Sequence, residues 1–158
     1  MSPIIFDYIG FYGPMILILV SIFSLWKRKY YVYSYLFFYM INIFLNKILK
    51  KLVREPRPNN SIDFRDIIFD YFDKYKEEEQ FGMPSGHAQM IFYSISFLYL
   101  VTKSPILLFI SLFIGVLTLY QRWKYRNHTI YQLFIGSLIG LIFGSSVYYS
   151  TNQYLHSY

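Results

Sequence analysis

Three short stretches of the sequence place histidine or basic residues at the ends of apolar segments. They read KKLVREPRP at 50–58, PSGH at 84–87 and QRWKYRNHTIYQ at 121–132. Arginine and lysine suit phosphate oxygens, and an imidazole can act as a nucleophile or as a general acid. These residue types indicate phosphoryl chemistry, provided that the fold brings the three stretches together.

The elements that must position them are apolar. The 158-residue chain is 55% hydrophobic and only 15% charged, against about 25% charged residues in soluble domains. It contains no cysteine, which excludes disulfides, thiolate catalysis and cysteine zinc sites. Five stretches lack Lys, Arg, Asp and Glu and have the length of a membrane span; they are 8–26, 30–46, 81–102, 104–121 and 127–158.

We therefore predict an all-α fold, an integral membrane helical bundle with about five transmembrane helices in a single domain over residues 1–158. The hydrophilic insert between the second and third spans has helical period at 61–75, which predicts a short amphipathic helix at the membrane interface. Since successive spans alternate in direction, all three polar stretches fall on one side of the membrane. Basic residues at 27–29 follow the first span, which favours an outer or lumenal location for that side.

The PSGH stretch has the features of an anion site. Pro84 precedes a helix start, where free N–H groups bind anions, and Gly86 permits a close approach to the backbone. We expect Ser85 and Gly86 to offer these amides. Positive charge would come from three further residues in the neighbouring stretches, Lys50, Arg57 and Arg122.

The spacing is also distinctive. Lys50 and Arg57-Pro58 form KX6RP, PSGH is complete, and Arg122 and His128 form RX5H. With these three motifs the chain resembles the type 2 phosphatidic acid phosphatase (PAP2) family of membrane phosphatases. EPRP at 55–58, FGMPSGHAQ at 81–89 and HTIYQ at 128–132 are most similar to its dolichyl diphosphate phosphatase branch.

The resemblance implies a role for each position. His128 matches the nucleophile that forms a phosphohistidine, and His87 matches the general acid. The phosphate-binding positions are Lys50, Arg57, Ser85, Gly86 and Arg122. The branch cleaves the terminal phosphate of a polyisoprenyl diphosphate on the lumenal side of the endoplasmic reticulum. It needs no metal or other cofactor, and the sequence has no metal-ligand spacing such as HExxH.

Two positions depart from the family pattern. Gln121 stands where the third motif usually begins with Ser, and Gln132 stands four residues after His128, where the family commonly has Asp. The dolichyl diphosphatase branch tends to carry Gln at this second position. We expect the Gln132 side-chain oxygen to accept the Nδ1–H bond of His128 and so to orient the ring, with a backbone carbonyl or Glu55 as the alternative.

Three glycines follow Gln132 at intervals of four residues, Gly136, Gly140 and Gly144. This pattern predicts one helix face that packs closely inside the bundle. We expect the partners to be a lipid phosphate or diphosphate and the bilayer, with no nucleic acid. Two alternatives stay open, a phosphatase of glycerol-based lipid phosphates such as phosphatidate, and a catalytically decayed lipid-binding membrane protein.

Overall fold

The structure is a computed structural model that describes residues 4–62, 64 and 81–157. The described residues form five helices in chain order. They are α1 (Ile5–Leu25), α2 (Lys29–Val53), α3 (Gly86–Thr102), α4 (Pro105–Lys124) and α5 (Ile130–His156). Except for residues 61, 62 and 64, the predicted amphipathic helix at 61–75 lies outside the described residues.

The prediction of an all-helical bundle is confirmed, and four of the helices are long and apolar enough to cross a membrane. These are α1, α2, α4 and α5, with 21, 25, 20 and 27 residues. Many of their large apolar side chains face outward, including Phe23, Phe37 and Phe109. Such an exterior fits an integral membrane protein, since exposing so large an apolar surface to water is unfavourable.

Helix α3 differs from the other four because it forms the centre of the bundle. It has 17 residues, which gives a length of about 25 Å, and it contacts each of the other helices. It begins at Gly86, five residues later than the predicted span at 81–102. The reason is local: Ser85 is the N-cap, and its hydroxyl accepts the Ala88 N–H at 3.5 Å, so residues 81–85 lie outside the helix.

The glycine face of α5 packs against α3, as predicted. A β carbon at Gly136 would lie 2.5 Å from the carbonyl oxygen of Ser85, and one at Gly140 would meet the carbonyl of Gln89. No larger side chain fits without separating the two helices. The close approach brings the start of α5 against the PSGH turn.

Buried amides attach α2 to the start of α3. Asn46 Nδ2 donates to Gln89 Oε1 at 2.8 Å and to the Pro84 carbonyl at 3.3 Å. Gln89 Nε2 donates in turn to Asn42 Oδ1 at 2.7 Å. All three side chains are buried, where an unpaired amide would be costly. The satisfied network therefore fixes the PSGH turn beside the end of α2, which carries Lys50.

Candidate active site

The three polar stretches meet at one end of the bundle. Gly82 N–H donates to the Glu55 carbonyl at 2.8 Å, and Pro56 and Phe81 form an antiparallel bridge. Ser85 N–H donates to the carbonyl of Gln132 at 3.2 Å. These backbone contacts join the segment after α2, the segment before α3 and the first turn of α5. The site is thus assembled from residues far apart in sequence.

His128 lies in the connection between α4 and α5 and is 3% exposed. Its Nδ1 is 2.9 Å from the carbonyl oxygen of Gly82. A carbonyl oxygen only accepts hydrogen bonds, so Nδ1 must carry the proton. The other ring nitrogen, Nε2, then holds a lone pair and has the form that a nucleophile requires.

The surroundings also keep this ring neutral. Burial lowers the pKa of His128 well below the usual imidazole value, and the positive charges of Arg57, Lys50 and Arg122 lower it further. Each cation disfavours a second proton on the ring. The same three residues are the ones predicted to bind phosphate, so the structure brings the predicted cations close enough to act on His128.

Gln132 does not make the contact predicted for it. Its Oε1 accepts the N–H of Thr129 at 3.2 Å, and its Nε2 donates to Glu55 Oε1 at 2.7 Å and to the Pro56 carbonyl at 3.0 Å. The prediction that Gln132 orients His128 directly is therefore wrong. That prediction assumed that His128 and Gln132 lie one turn apart on the same helix. In the structure Thr129 is the N-cap of α5, so His128 lies before the helix begins.

The alternative prediction, a backbone carbonyl, is the arrangement observed. Gln132 acts one step further away, since it bonds to Glu55 and Pro56 while the Glu55 carbonyl holds the Gly82 N–H. A β carbon on Gly82 would meet the Gln132 side-chain amide. Gln132 thus supports the segment that carries the orienting carbonyl.

The start of α3 corrects a second expectation. The Ser85 N–H is not free for an anion because it donates to Gln132 in α5. Among the described residues, no hydrogen-bond partner is found for the N–H groups of Gly86 and His87, the first two residues of α3. A β carbon on Gly86 would lie 3.0 Å from Asn46 Oδ1, so packing against α2 also favours glycine there.

Arg122 is held in place by residues that the sequence analysis did not assign. Its Nε donates to Gln121 Oε1 at 2.7 Å, and its guanidinium carbon lies 5.2 Å from the centre of the Phe11 ring. The side chain is 5% exposed. Gln121, the departure from the usual serine, therefore serves as the acceptor that fixes this arginine.

Helix α1 contributes to the site, which the sequence analysis missed. The His87 ring donates a hydrogen bond to the Phe11 backbone carbonyl and lies 6.0 Å from the Phe11 ring centre. One turn earlier, Asp7 is 1% exposed and pairs with Lys124 at 2.7 Å. A buried carboxylate in an apolar segment signals a specific partner, and Asp7 was the available indication that α1 docks here.

The described part of the chain contains no group of three or more His, Asp or Glu side chains placed to hold a metal ion. What it does contain is two histidines that interact electrostatically with each other, near Arg57 and Arg122. Such a set can bind an anion, attack it with one imidazole and transfer a proton with the other.

The fold and the site together define a helical membrane bundle with a cluster of histidines and cations at one end. The chain belongs to the PAP2 superfamily, which matches residues 31–155. Helix α1 precedes the matched region.

Two known proteins are similar to this chain at modest sequence identity. Lipid phosphate phosphatase gamma of Arabidopsis thaliana is 25% identical over 130 residues, covering 75% of this chain and 53% of the relative. Dolichyldiphosphatase 1 of Dictyostelium discoideum is 30% identical over 121 residues, covering 70% and 47%. The chain thus spans about half the length of these relatives. No solved structure matches it.

Proposed function

We propose that the protein is a membrane lipid phosphatase that removes a terminal phosphate through a phosphohistidine on His128. The observation that carries this proposal is the state of His128, whose Nδ1 is held by the Gly82 carbonyl and whose lone pair is therefore on Nε2. The neighbouring positive charges of Arg57, Lys50 and Arg122 would stabilise the three equatorial oxygens of a transferring phosphoryl group.

The reaction has two steps. Nε2 of His128 attacks phosphorus while the bond from phosphorus to the leaving oxygen breaks, and protonated His87 gives that oxygen its proton. The Phe11 carbonyl accepts one N–H of His87, which leaves the other nitrogen to face the leaving group. Water then attacks the phosphohistidine and gives a proton to His87, releasing inorganic phosphate and restoring His128.

The substrate we propose is a polyisoprenyl diphosphate of the dolichyl type. Support comes from the EPRP, FGMPSGHAQ and HTIYQ stretches and from the similarity to a protein named dolichyldiphosphatase 1. Similarity to a protein named lipid phosphate phosphatase gamma supports a second candidate, a glycerol-based lipid phosphate. Both require the same chemistry at phosphorus and differ in the leaving group and the apolar chain.

The test is phosphate release by the purified protein from dolichyl diphosphate, phosphatidate and dolichyl monophosphate in mixed micelles. We expect the highest kcat/KM with dolichyl diphosphate, and no release from any lipid by His128→Ala. Higher kcat/KM for phosphatidate would establish the second candidate instead. No release from any lipid by the wild-type protein would favour a decayed lipid-binding protein.

For a eukaryotic cell we propose that the site faces the lumen of the endoplasmic reticulum, and otherwise the outer face of the plasma membrane. The support is the basic run Lys27, Arg28 and Lys29 directly after the first span, because basic residues favour the cytoplasmic side. A glycosylation acceptor inserted at Glu77 should be modified in microsomes. Modification of an acceptor at Lys29, with none at Glu77, would reverse the orientation.

A further inference from the structure

Helices α4 and α5 follow each other through a short connection, 125–129, yet they diverge along their length. Helix α4 packs mainly against α1 and α3, whereas α5 packs against α3 and α2, and the two described helices share no extensive contact. Between them lies a groove of about 510 Å³, with Phe92 of α3 among the residues that line it. Consecutive antiparallel helices commonly pack together, so this separation needs an explanation.

The groove has the chemistry of a hydrocarbon site. Leu119 lines it from α4, and Leu133, Phe134 and Leu138 line it from α5. Tyr120 and Trp123 also contribute their rings. The one hydroxyl on an aliphatic side chain is that of Ser137, which already donates to the Leu133 carbonyl at 2.9 Å. A hydrocarbon chain in the groove would therefore not deprive the Ser137 hydroxyl of a hydrogen-bond partner.

One end of the groove adjoins a recess that is lined in part by His128. Trp123 and Ile130 line both the groove and an adjoining recess of about 530 Å³, which His128 and Arg126 also line. The apex of the diverging helices is thus the connection that carries His128. Trp123 is exposed and lies at the end of α4, a position where aromatic residues meet the membrane interface and lipid headgroups.

We infer that this α4–α5 groove binds the apolar chain of the substrate lipid and directs its phosphate to His128. The inference rests on the proposed function and adds where the chain lies. From Ile130 to Leu141, both lining residues on α5, the helix rises about 16 Å. The part of the chain next to the phosphate lies against these residues, and the remainder extends into the bilayer through the open side of the groove.

Continuity with the recess at His128 favours a substrate chain over a second protein as the occupant. A protein partner in the bilayer is typically met by small residues that let helices approach closely, whereas this groove is lined almost entirely by bulky apolar side chains and ends at a recess with a buried histidine and Arg126. A substrate lipid has both parts in that order, an apolar chain followed by a phosphate.

The first test fills the groove and compares two substrates with the same reacting group. Ser137→Phe places a ring between the helices, and the substrates are dolichyl diphosphate and isopentenyl diphosphate. We expect kcat/KM for dolichyl diphosphate to fall at least tenfold, the scale of lost apolar contacts in a specificity pocket. For isopentenyl diphosphate, which has almost no chain to place there, it should change less than about twofold.

Ser146→Phe is the matched control. Ser146 lies on the same helix and donates to the carbonyl four residues before it at 2.8 Å, as Ser137 does, but it is exposed and does not line the groove. It should change neither substrate's kcat/KM. Equal losses for both substrates in Ser137→Phe, or no loss for either, would overturn the inference.

A second test does not depend on turnover or on the folding of one variant. A dolichyl diphosphate analogue with a photoreactive group in its chain should label Leu133, Leu138 or Phe92 in the wild-type protein, and Leu138→Trp should reduce that labelling. Label confined to α1 or α2, or crosslinks joining two copies of the protein through α4 and α5, would overturn it. Labelling of the groove without any phosphate release would instead contradict the proposed function alone.

Discussion

Replacing Gln132 by glutamate tests whether Gln132 supports the site through Glu55. In the structure the Gln132 Nε2 donates to Glu55 Oε1 and to the Pro56 carbonyl. A carboxylate oxygen in place of Nε2 can only accept hydrogen bonds. It would therefore face two other acceptors, Glu55 Oε1 and the Pro56 carbonyl, and both hydrogen bonds would be lost. It would also place a second negative charge about where Nε2 lies, 2.7 Å from an oxygen of Glu55. Had Gln132 bonded to His128 directly, the same change would have been the mildest one available.

The magnitude follows from the contacts that are lost. A hydrogen bond to a charged group contributes about 1.5–3 kcal/mol, and every 1.36 kcal/mol is about tenfold in rate. If the loss moves the segment that carries the Gly82 carbonyl, Gln132→Glu should lower kcat about tenfold to 150-fold at pH 8. At lower pH the two facing carboxyl groups can share one proton, so part of the loss should be recovered near pH 6.

The assay is steady-state phosphate release at matched protein levels across pH 6–8. Gln153→Glu, an exposed position on the same helix, is the control and should behave as wild type. Adding Glu55→Gln to Gln132→Glu restores a donor opposite the carboxylate and should recover activity relative to Gln132→Glu alone. Wild-type rates for Gln132→Glu at pH 8, or no recovery in the double variant, would refute the role assigned to Gln132 and Glu55.

Three further predictions concern the two histidines and helix α1. Because burial and nearby cations lower the pKa of His128, kcat/KM on p-nitrophenyl phosphate, whose leaving group needs no proton from His87, should stay flat as pH falls through the usual imidazole range and decline only below it; a pH–rate profile on this substrate that bends at about 6.5 would contradict this. His87→Ala should lower kcat about 10²–10⁴-fold on dolichyl diphosphate and far less on p-nitrophenyl phosphate, whose leaving group needs no proton; equal losses on both would remove His87 as the acid. Phe11→Leu removes the ring beside the arginine of the third motif and should raise KM about threefold, within the range of a cation–π contact, whereas Phe23→Leu on the outer face of α1 should leave KM unchanged.

Much of the architecture could be predicted from sequence because it depends on patterns that residue types carry. Charge-free stretches predicted the apolar helices, and the glycines at intervals of four predicted the face of α5 that packs on α3. The alternation of spans placed KX6RP, PSGH and RX5H at one end. Helix starts were less predictable, since the Ser85 cap shortens α3 and the Thr129 cap leaves His128 outside α5.

The contacts that orient the histidines could not be predicted in the same way. Both use backbone carbonyls, those of Gly82 and Phe11, and every residue has a carbonyl, so residue type gives no signal. Tertiary packing determines which carbonyl lies next to each histidine ring. The same reason explains why the Ser85 amide was expected to be free, since only the approach of α5 brings the Gln132 carbonyl to it.

The most direct test of the central claim is a search for phosphate on His128 during turnover. Rapid mixing with excess dolichyl diphosphate, followed by an alkaline quench and peptide mass spectrometry, should detect a phosphorylated peptide that contains His128. Its formation should precede steady-state phosphate release, and His128→Ala should show neither the phosphopeptide nor turnover. Full turnover by the wild-type protein with phosphate on no histidine, or substantial turnover by His128→Ala, would contradict the covalent mechanism.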